Sequence, residues 1–244
     1  MKKKIITILT VINICIIVIW IFNIVQNQIF QRRDIRKLLQ KNANCTNYIM
    51  ELNHFDYGEG RFDYRQKITC KDDIFKVEYE NKYSNNIDWH VENKIISEES
   101  KMLMYINAPI AVSPLIDATG LIWQINSAEW DYKYIKQEKY KNKQCIVIEL
   151  SDEDIYGYTY RIDNKTGERK KVEDEYTVKT YKYWIEKDTG IVLRELHFNQ
   201  SDKLIEENIY NVQANCVTDE DMILPDTDDY TIVDTRTTDN VEEQ

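Results

Sequence analysis

The chain has 244 residues and carries 42 acidic against 32 basic side chains, which gives a net charge of −10 at pH 7. A field this acidic excludes nucleic acid and anionic lipid surfaces as partners attracted by the charge of the whole molecule. The hydrophobic content of 43% is typical of a folded protein, and the 17 tyrosines favour sheet over helix.

The N-terminal residues predict a membrane anchor. Residues 5–22 contain no charged side chain, follow three lysines and end near Trp20. As a helix this segment spans roughly 27 Å, close to the hydrocarbon thickness of a bilayer, and the leading lysines favour a cytoplasmic N-terminus. No small-residue cleavage pattern follows it, since the first alanine in the chain is Ala43. We therefore expect residues 1–27 to form a cytoplasmic tip and an uncleaved single-pass anchor in the cell membrane, with the rest of the chain outside the cytoplasm.

The segment after the anchor changes from a helical to a strand pattern. Residues 28–40 place Ile35, Leu38 and Leu39 on one side, which predicts an amphipathic helix. From Thr46 the apolar period is two, and the short strands with tight turns predict an antiparallel meander. The predicted strands cover residues 46–52, 62–68, 74–79, 87–92, 94–97, 102–107, 131–140, 144–150, 156–163, 176–186, 191–199 and 203–212.

Residues 108–129 interrupt this meander and are the most apolar part of the chain outside the anchor. Two readings stay open: the segment completes the hydrophobic core, or Pro109, Pro114 and Gly120 let it act as a lid over a ligand on an open sheet. In the second reading the candidate ligand-binding residues are Ile110, Val112, Leu115, Ile116, Leu121, Ile122, Trp123 and Ile125.

Hairpin turns continue on both sides of the interruption, and no linker rich in Gly, Ser or Pro separates them. This pattern predicts one β-rich domain over residues 28–232. The polar, acidic residues from Thr227 onward are expected to fray, with a disordered tail over residues 233–244.

Four cysteines follow the anchor, and in an oxidising compartment they are candidates for disulfides. Three pairings are open, and burial as free thiols explains the same residues equally well. No C-x-x-C spacing occurs, which argues against a structural zinc site or a thioredoxin-like redox pair. The four residues are Cys45, Cys70, Cys145 and Cys216.

No catalytic pattern is visible in the chain. Its three histidines, His54, His90 and His197, are not spaced as metal ligands, and no nucleophile motif, zinc-protease motif or phosphate-binding loop occurs. The residues 151–154 cluster carboxylates but lack the glycine-centred ligand pattern of a calcium loop. We therefore expect no enzyme activity, no cofactor and no metal site.

One hairpin carries a resemblance to a known family. Residues 181–195 read YKYWIEKDTGIVLRE, in which a strand ending in Trp-Ile-Glu turns through Asp-Thr-Gly into a second strand that ends near an arginine. This resembles the LolA-like superfamily of outer-membrane lipoprotein carriers and their RseB-like relatives. Residues 208–225, which end in Leu-Pro, are similar to the closing segment of that family.

The resemblance implies a mainly β fold with a few helices, in which a curved antiparallel sheet forms an unclosed β-barrel with covering helices, here preceded by one transmembrane helix. It also implies an apolar cavity for an acyl chain or a partner's peptide. The carrier arginine motif of the family is not recognisable here, so no ligand residue transfers.

Two functions therefore stay open. One is a membrane-anchored binding protein that holds a hydrophobic ligand, a lipid or lipoprotein-like molecule, in a concave sheet. The other is a sensor or scaffold ectodomain that binds another membrane or envelope protein and takes no small ligand.

Overall fold

The structure is a computed structural model. It describes residues 13–22, 32–42, 45–58, 63–72, 74–107, 121–127, 130–152, 158–162, 169–173 and 177–236.

The chain is mainly β, as the alternating apolar pattern predicts. The strands are β1 (Asn47–Asp56), β2 (Tyr64–Lys71), β3 (Ile74–Asn81), β4 (Asn85–Val91), β5 (Lys94–Ser97), β6 (Met102–Tyr105), β7 (Asp131–Tyr140), β8 (Lys143–Ser151), β9 (Tyr158–Ile162), β10 (Arg169–Glu173), β11 (Val178–Glu186), β12 (Val192–Asn199), β13 (Leu204–Ala214) and β14 (Thr231–Asp234).

Twelve of these strands form one curved, unclosed sheet in the order β14-β6-β5-β4-β3-β2-β1-β13-β12-β11-β8-β7, while β9 and β10 pair with each other. Neighbours within the sheet are antiparallel except for β14, which runs parallel to β6. Strand β1 pairs with both β2 and β13, so Tyr48 lies opposite Cys70 on one side and Ala214 on the other. This long-range pairing joins the strands before the 108–129 interruption to those after it.

Helical residues are few among those that the structure describes. They are residues 13–22 and 32–39, the short helix Leu121–Asn126, and single 3-10 turns at Gln40–Asn42 and Glu220–Met222. Within the described ranges, no helix combines the length and apolar character needed to cross a membrane. Residues 5–12 of the expected anchor lie outside those ranges, and the anchor stays a prediction.

Residues 32–39 confirm the predicted amphipathic helix, since Ile35, Leu38 and Leu39 are 2%, 8% and 3% exposed. These side chains and those of Leu121 and Ile125 pack in one core cluster with residues of β1, β8 and β11. We call the side of the sheet that carries them the helix face.

A second cluster lies on the opposite face, where Val217, Met222 and Tyr230 pack against Trp89, Ile96 and Leu103. The C-terminal segment then forms β14, in which Ile232 lies opposite Leu103 of β6. The expectation that the chain frays from Thr227 is therefore wrong for residues 227–236, because paired backbone and buried apolar side chains hold them. Residues 237–244 lie outside the described ranges.

Candidate functional site

The helix face is unevenly buried, and this divides it into two halves. On β8 and β11 most of its side chains are completely buried, with Ile148, Leu150, Tyr183 and Ile185 all at 0% exposure, while Ile146 and Tyr181 are partly buried. This more deeply buried half is an ordinary hydrophobic core that needs no ligand.

The other half of the helix face lies on β2 to β6, and apart from the buried Cys70 its apolar side chains are only partly buried. Strand register places them in one continuous strip, because Cys70 lies opposite Phe75, Ile68 opposite Val77 and Gln66 opposite Tyr79. We call this set the apolar strip: Ile68, Phe75, Val77, Tyr79, Ile95 and Met104. Apolar area that folding leaves partly in water is area that a ligand can bury.

A buried polar network adjoins this strip at the ends of β1, β13 and β12. His54 Nδ1 lies 2.7 Å from Asn208 Oδ1, and Asn208 Nδ2 donates to Glu195 Oε2 at 3.2 Å. Tyr210 also donates its hydroxyl to Glu195 Oε2 at 2.8 Å. The His54 ring stacks on Tyr64 at a centroid distance of 4.4 Å, which connects the network to the edge of the strip.

His197 occupies the centre of this network between two carboxylates. Its Nε2 lies 2.7 Å from Glu195 Oε1 and its Nδ1 lies 2.7 Å from Glu206 Oε2. Burial by itself lowers the pKa of His197, but the hydrogen bonds and charges of Glu195 and Glu206 outweigh it and raise that pKa to about 9. Burial likewise acts to raise the pKa of Glu195, and its bonds to His197, Tyr210 and Asn208 lower it instead.

The chemical consequence is an imidazolium fixed between two carboxylates at neutral pH. A general base must be unprotonated near the working pH, and a group with a pKa of about 9 is not. Among the described residues, no group of three His, Cys, Asp or Glu side chains has a metal-binding arrangement. The network therefore acts as a polar cross-link between β12, β13 and β1 that shapes one end of the helix face.

A second polar pair lies within the strip itself, on β4. Asp88 and His90 occupy successive helix-face positions, opposite Val77 and Phe75 respectively. Asp88 Oδ2 accepts a hydrogen bond from Asn86 Nδ2 at 2.8 Å, whereas Asp88 Oδ1 and His90 Nδ1 are buried and have no hydrogen-bond partner. The His90 ring stacks on Phe75 at 4.3 Å with an interplanar angle of 12°.

The opposite face carries a groove of different character. Its volume is ≈ 530 Å³ and its lining includes Arg65, Lys67, Glu78 and Glu80. Lys67 pairs with Glu78 at 3.7 Å, and Lys76 pairs with the same carboxylate at 2.8 Å. Side chains that neutralise one another in this way are typical of a solvated surface, and we place no site there.

The predicted lid residues are distributed as follows. Leu121 and Ile125 are 0% exposed and belong to the helix-face core cluster. Ile122 and Trp123 lie in the same short helix, and their side chains are not among those that the structure describes. The other four, Ile110, Val112, Leu115 and Ile116, lie outside the described residues.

The cysteines are free thiols in this structure, and no pairing is formed. Cys70 and Cys145 are completely buried. Burial raises the pKa of Cys70 to about 11 and also raises that of Cys145, so both persist as protonated thiols of low reactivity.

Comparisons with known proteins concern the fold. No family model and no curated protein matches the chain. An uncharacterized conserved protein from Thermus thermophilus is similar in structure, with 9% identity, a TM-score of 0.48, and coverage of 83% of this chain and 98% of that chain. The MucA/MucB complex of Pseudomonas aeruginosa gives 12% identity and a TM-score of 0.43, over 77% of this chain and 60% of that chain. LprF from Mycobacterium bovis gives 7% identity and a TM-score of 0.42, over 80% of this chain and 97% of that chain.

MucB and LprF have RseB-like and LolA-like folds, the family that the hairpin motif resembles. Identities of 7 to 12% and TM-scores below 0.5 carry no statement about a ligand, a partner or an activity of this chain.

Proposed function

We propose that the protein is a membrane-anchored, extracytoplasmic binding protein without catalytic activity, which holds a hydrophobic ligand such as a lipid or the acyl chain of a lipoprotein. The ligand lies on the helix face, against the apolar strip of β2 to β6. The anchor and the orientation rest on the sequence of residues 1–27.

The observation that carries this proposal is the unequal burial of one face of one sheet. The protein covers most of this face on β8 and β11, with Ile148 and Leu150 at 0% exposure, yet leaves Ile68 and Val77 of the same face only partly covered. Burying a fully exposed side chain of this size is worth about 1.5 to 3 kcal/mol, and a ligand along the strip gains the part of that free energy that folding leaves unrealised at each residue.

The helices support the same placement. Arg32 Nη2 donates to the Ser127 carbonyl at 2.8 Å, and Arg36 Nη2 donates to the Ile125 carbonyl at 2.9 Å. These bonds fix the helix of residues 32–39 to the short helix Leu121–Asn126 over the buried half of the face. The cover is thus held in place over one half of the sheet and borders the strip.

The test is photolabelling of the full chain, reconstituted with its anchor in membrane scaffold particles. Diazirine-bearing hexadecanol is the probe, and labelled peptides are located by mass spectrometry. We expect labels on β2, β3 and β4. Val77→Asn places an amide in the strip and should lower the labelled fraction about tenfold, because about 1.5 kcal/mol of apolar contact is lost.

Glu78→Gln is the matched control, because Glu78 follows Val77 in the chain but points to the opposite face, where it pairs with Lys76. Its labelling should equal that of the wild type. Label spread evenly over both faces, or an unchanged signal in Val77→Asn, would contradict the proposal.

A docking domain without a small ligand is the second candidate, and one feature favours it. Strand β7 is ten residues long and forms an edge of the sheet, so its outer backbone groups can pair with a strand from a partner. Full-length protein that takes up no probe but captures an envelope protein through β7 would support this candidate.

A further inference from the structure

The distribution of positive charge across the sheet limits which ligand the helix face accepts. Strands β1 and β13 contain no lysine or arginine. On β2 to β6 every one of these residues points to the opposite face, because each is in register with residues of that face rather than with the strip. They are Arg65, Lys67, Lys71, Lys76 and Lys94.

The helix face carries acids instead, on β4 and in the adjoining network of β12 and β13. Asp88 lies in the strip, and Glu195 and Glu206 flank His197 in the polar network beside it. The network thus has two carboxylates against one imidazolium. An anionic group brought beside Asp88 meets like charge, and no lysine or arginine of β2 to β6 lies on this face to offset it, which is an unfavourable arrangement in a partly desolvated site.

The unpaired atoms of Asp88 and His90 show which head group fits. Asp88 Oδ1 is an acceptor, and it is buried without a partner while Oδ2 is occupied by Asn86. Burial lowers the pKa of His90, and the opposing effect of Asp88 does not reverse this, so the imidazole is neutral near pH 7. A buried polar atom that lacks a partner costs about 1 to 3 kcal/mol, and a ligand that supplies the missing bond recovers this free energy.

We infer that the ligand is an amphiphile whose polar end donates hydrogen bonds and carries no negative charge, a hydroxyl or ammonium group, held by Asp88 Oδ1 and His90 Nδ1 while its apolar chain lies along Val77 and Ile68. This inference rests on the proposed function and names the ligand class for the same site. Fatty acids and phosphate-terminated lipids are disfavoured, because their head groups would face the Asp88 carboxylate and no lysine or arginine of β2 to β6 lies on this face.

The experiment compares three probes of equal chain length on the reconstituted full chain: diazirine-bearing hexadecanol, hexadecylamine and palmitate. We expect the alcohol and the amine to label β3 and β4. Palmitate should label them at least about tenfold more weakly, which corresponds to about 1.4 kcal/mol of charge repulsion and unmade hydrogen bonds.

Asp88→Asn keeps the size of the side chain and removes its charge. It should weaken labelling by hexadecylamine about tenfold relative to hexadecanol, because the ammonium group loses its carboxylate partner. It should strengthen labelling by palmitate, because the repulsion between the two carboxylates disappears. His90→Phe keeps the aromatic stack on Phe75 but removes the ring nitrogen. It should therefore weaken labelling by the alcohol and by the amine to a similar extent. Glu80→Gln, an exposed change on the opposite face of β3, should leave all three probes unchanged.

Equal labelling by palmitate and hexadecanol in the wild type overturns the inference and leaves the proposed function standing. An Asp88→Asn variant that keeps the wild-type preference among the three probes also overturns the inference and leaves the proposed function standing. That result is expected if water alone forms the hydrogen bonds of Asp88 and His90. If none of the three probes labels β2 to β6, the proposed function itself fails.

Discussion

The side chains with most influence on the helix face are those of the buried network around His197. A charge buried without a partner is strongly destabilising, and His197, Glu195 and Glu206 avoid this by forming a linked set. Neutral donors from Asn208 and Tyr210 complete the coordination of Glu195. The network therefore links the three strands β12, β13 and β1.

This network predicts how stability depends on pH. Because the pKa of His197 is raised from 6.5 to about 9 on folding, its stabilisation is complete below about pH 6.5 and is lost as the pH rises through about 9. The loss is at most about 3 kcal/mol. Glu195 has the corresponding effect at acidic pH. Because folding lowers its pKa, its stabilisation is complete above the ordinary pKa of a glutamate and disappears as the pH falls below that pKa.

Urea unfolding of the full chain at about pH 6 and about pH 9.5 measures this effect. The wild type should be less stable at the higher pH. In His197→Gln the difference between the two pH values should shrink by most of that amount. An equal pH dependence in both proteins would show that His197 is not protonated in the folded state.

Sequence could place the members of this network only in part. The alternation in β12 puts Glu195 and His197 on the same face, but Leu196 between them is also buried, so the pattern does not tell which face is the core. Glu206 reaches His197 and Asn208 reaches Glu195 across the hairpin of β12 and β13, where the register shifts between His197 and Phe198. His54 is 154 residues away from Asn208, and no local signal connects them.

Among the elements, the hairpin of β11 and β12 and the helix of residues 32–39 depend on each other. Gly190 has φ +80 in the turn, and a Cβ built there would lie 2.2 Å from the Leu38 carbonyl oxygen. Next to it, Asn42 Nδ2 donates to the Thr189 carbonyl at 2.7 Å. The end of the helix thus lies directly on the hairpin turn, which leaves no room for a side chain.

Gly190→Ala should therefore destabilise the protein by about 2 kcal/mol or more, because the positive φ is unfavourable for alanine and the added methyl group pushes the helix away. Thermal unfolding of the full chain gives the measurement. Asp188→Ala, an exposed change in the same turn, should shift stability by less than about 0.5 kcal/mol. Similar values for the two variants would mean that the helix does not rest on the turn.

The sequence predicts each of these elements but not their contact. The Asp-Thr-Gly turn and the amphipathic helix follow from local residue patterns, and both are confirmed. Strand β14 was missed because Thr231, Ile232 and Val233 stand among acidic residues, and a parallel partner such as β6 is never signalled locally. The strand bounds between residues 47 and 105 agree with the alternation to within a few residues.

At the scale of the whole molecule, the pairing of β1 with β13 determines the architecture. Met50 of β1 lies opposite Val212 of β13, and Leu52 lies opposite Tyr210. The first strand in the chain thus pairs with its last long strand. Register over such a separation depends on packing of the entire sheet, which is why the sequence predicts the strands but not their order. The uneven burial of the helix face depends on the same long-range pairing, so local sequence patterns could not predict it either.

This shared sheet predicts that residues 28–232 unfold as one domain. Strand β1 pairs with β2 from one half of the sheet and with β13 from the other half. Unfolding of either half would therefore expose the backbone hydrogen-bonding groups at the edge of the remaining half. Thermal unfolding of the full chain, followed by tryptophan fluorescence and by circular dichroism, should give one coincident transition. Two well-separated transitions would indicate two domains.

The central claim is that the helix face of β2 to β6 is filled by an amphiphile in the working protein. Native mass spectrometry of the full chain, released from the membrane scaffold particles in which it was purified, tests this most directly. We predict a bound amphiphile without negative charge in the wild type and in Glu78→Gln, and its loss in Val77→Asn. Wild-type protein that carries no amphiphile and takes up none from added hexadecanol would contradict the claim.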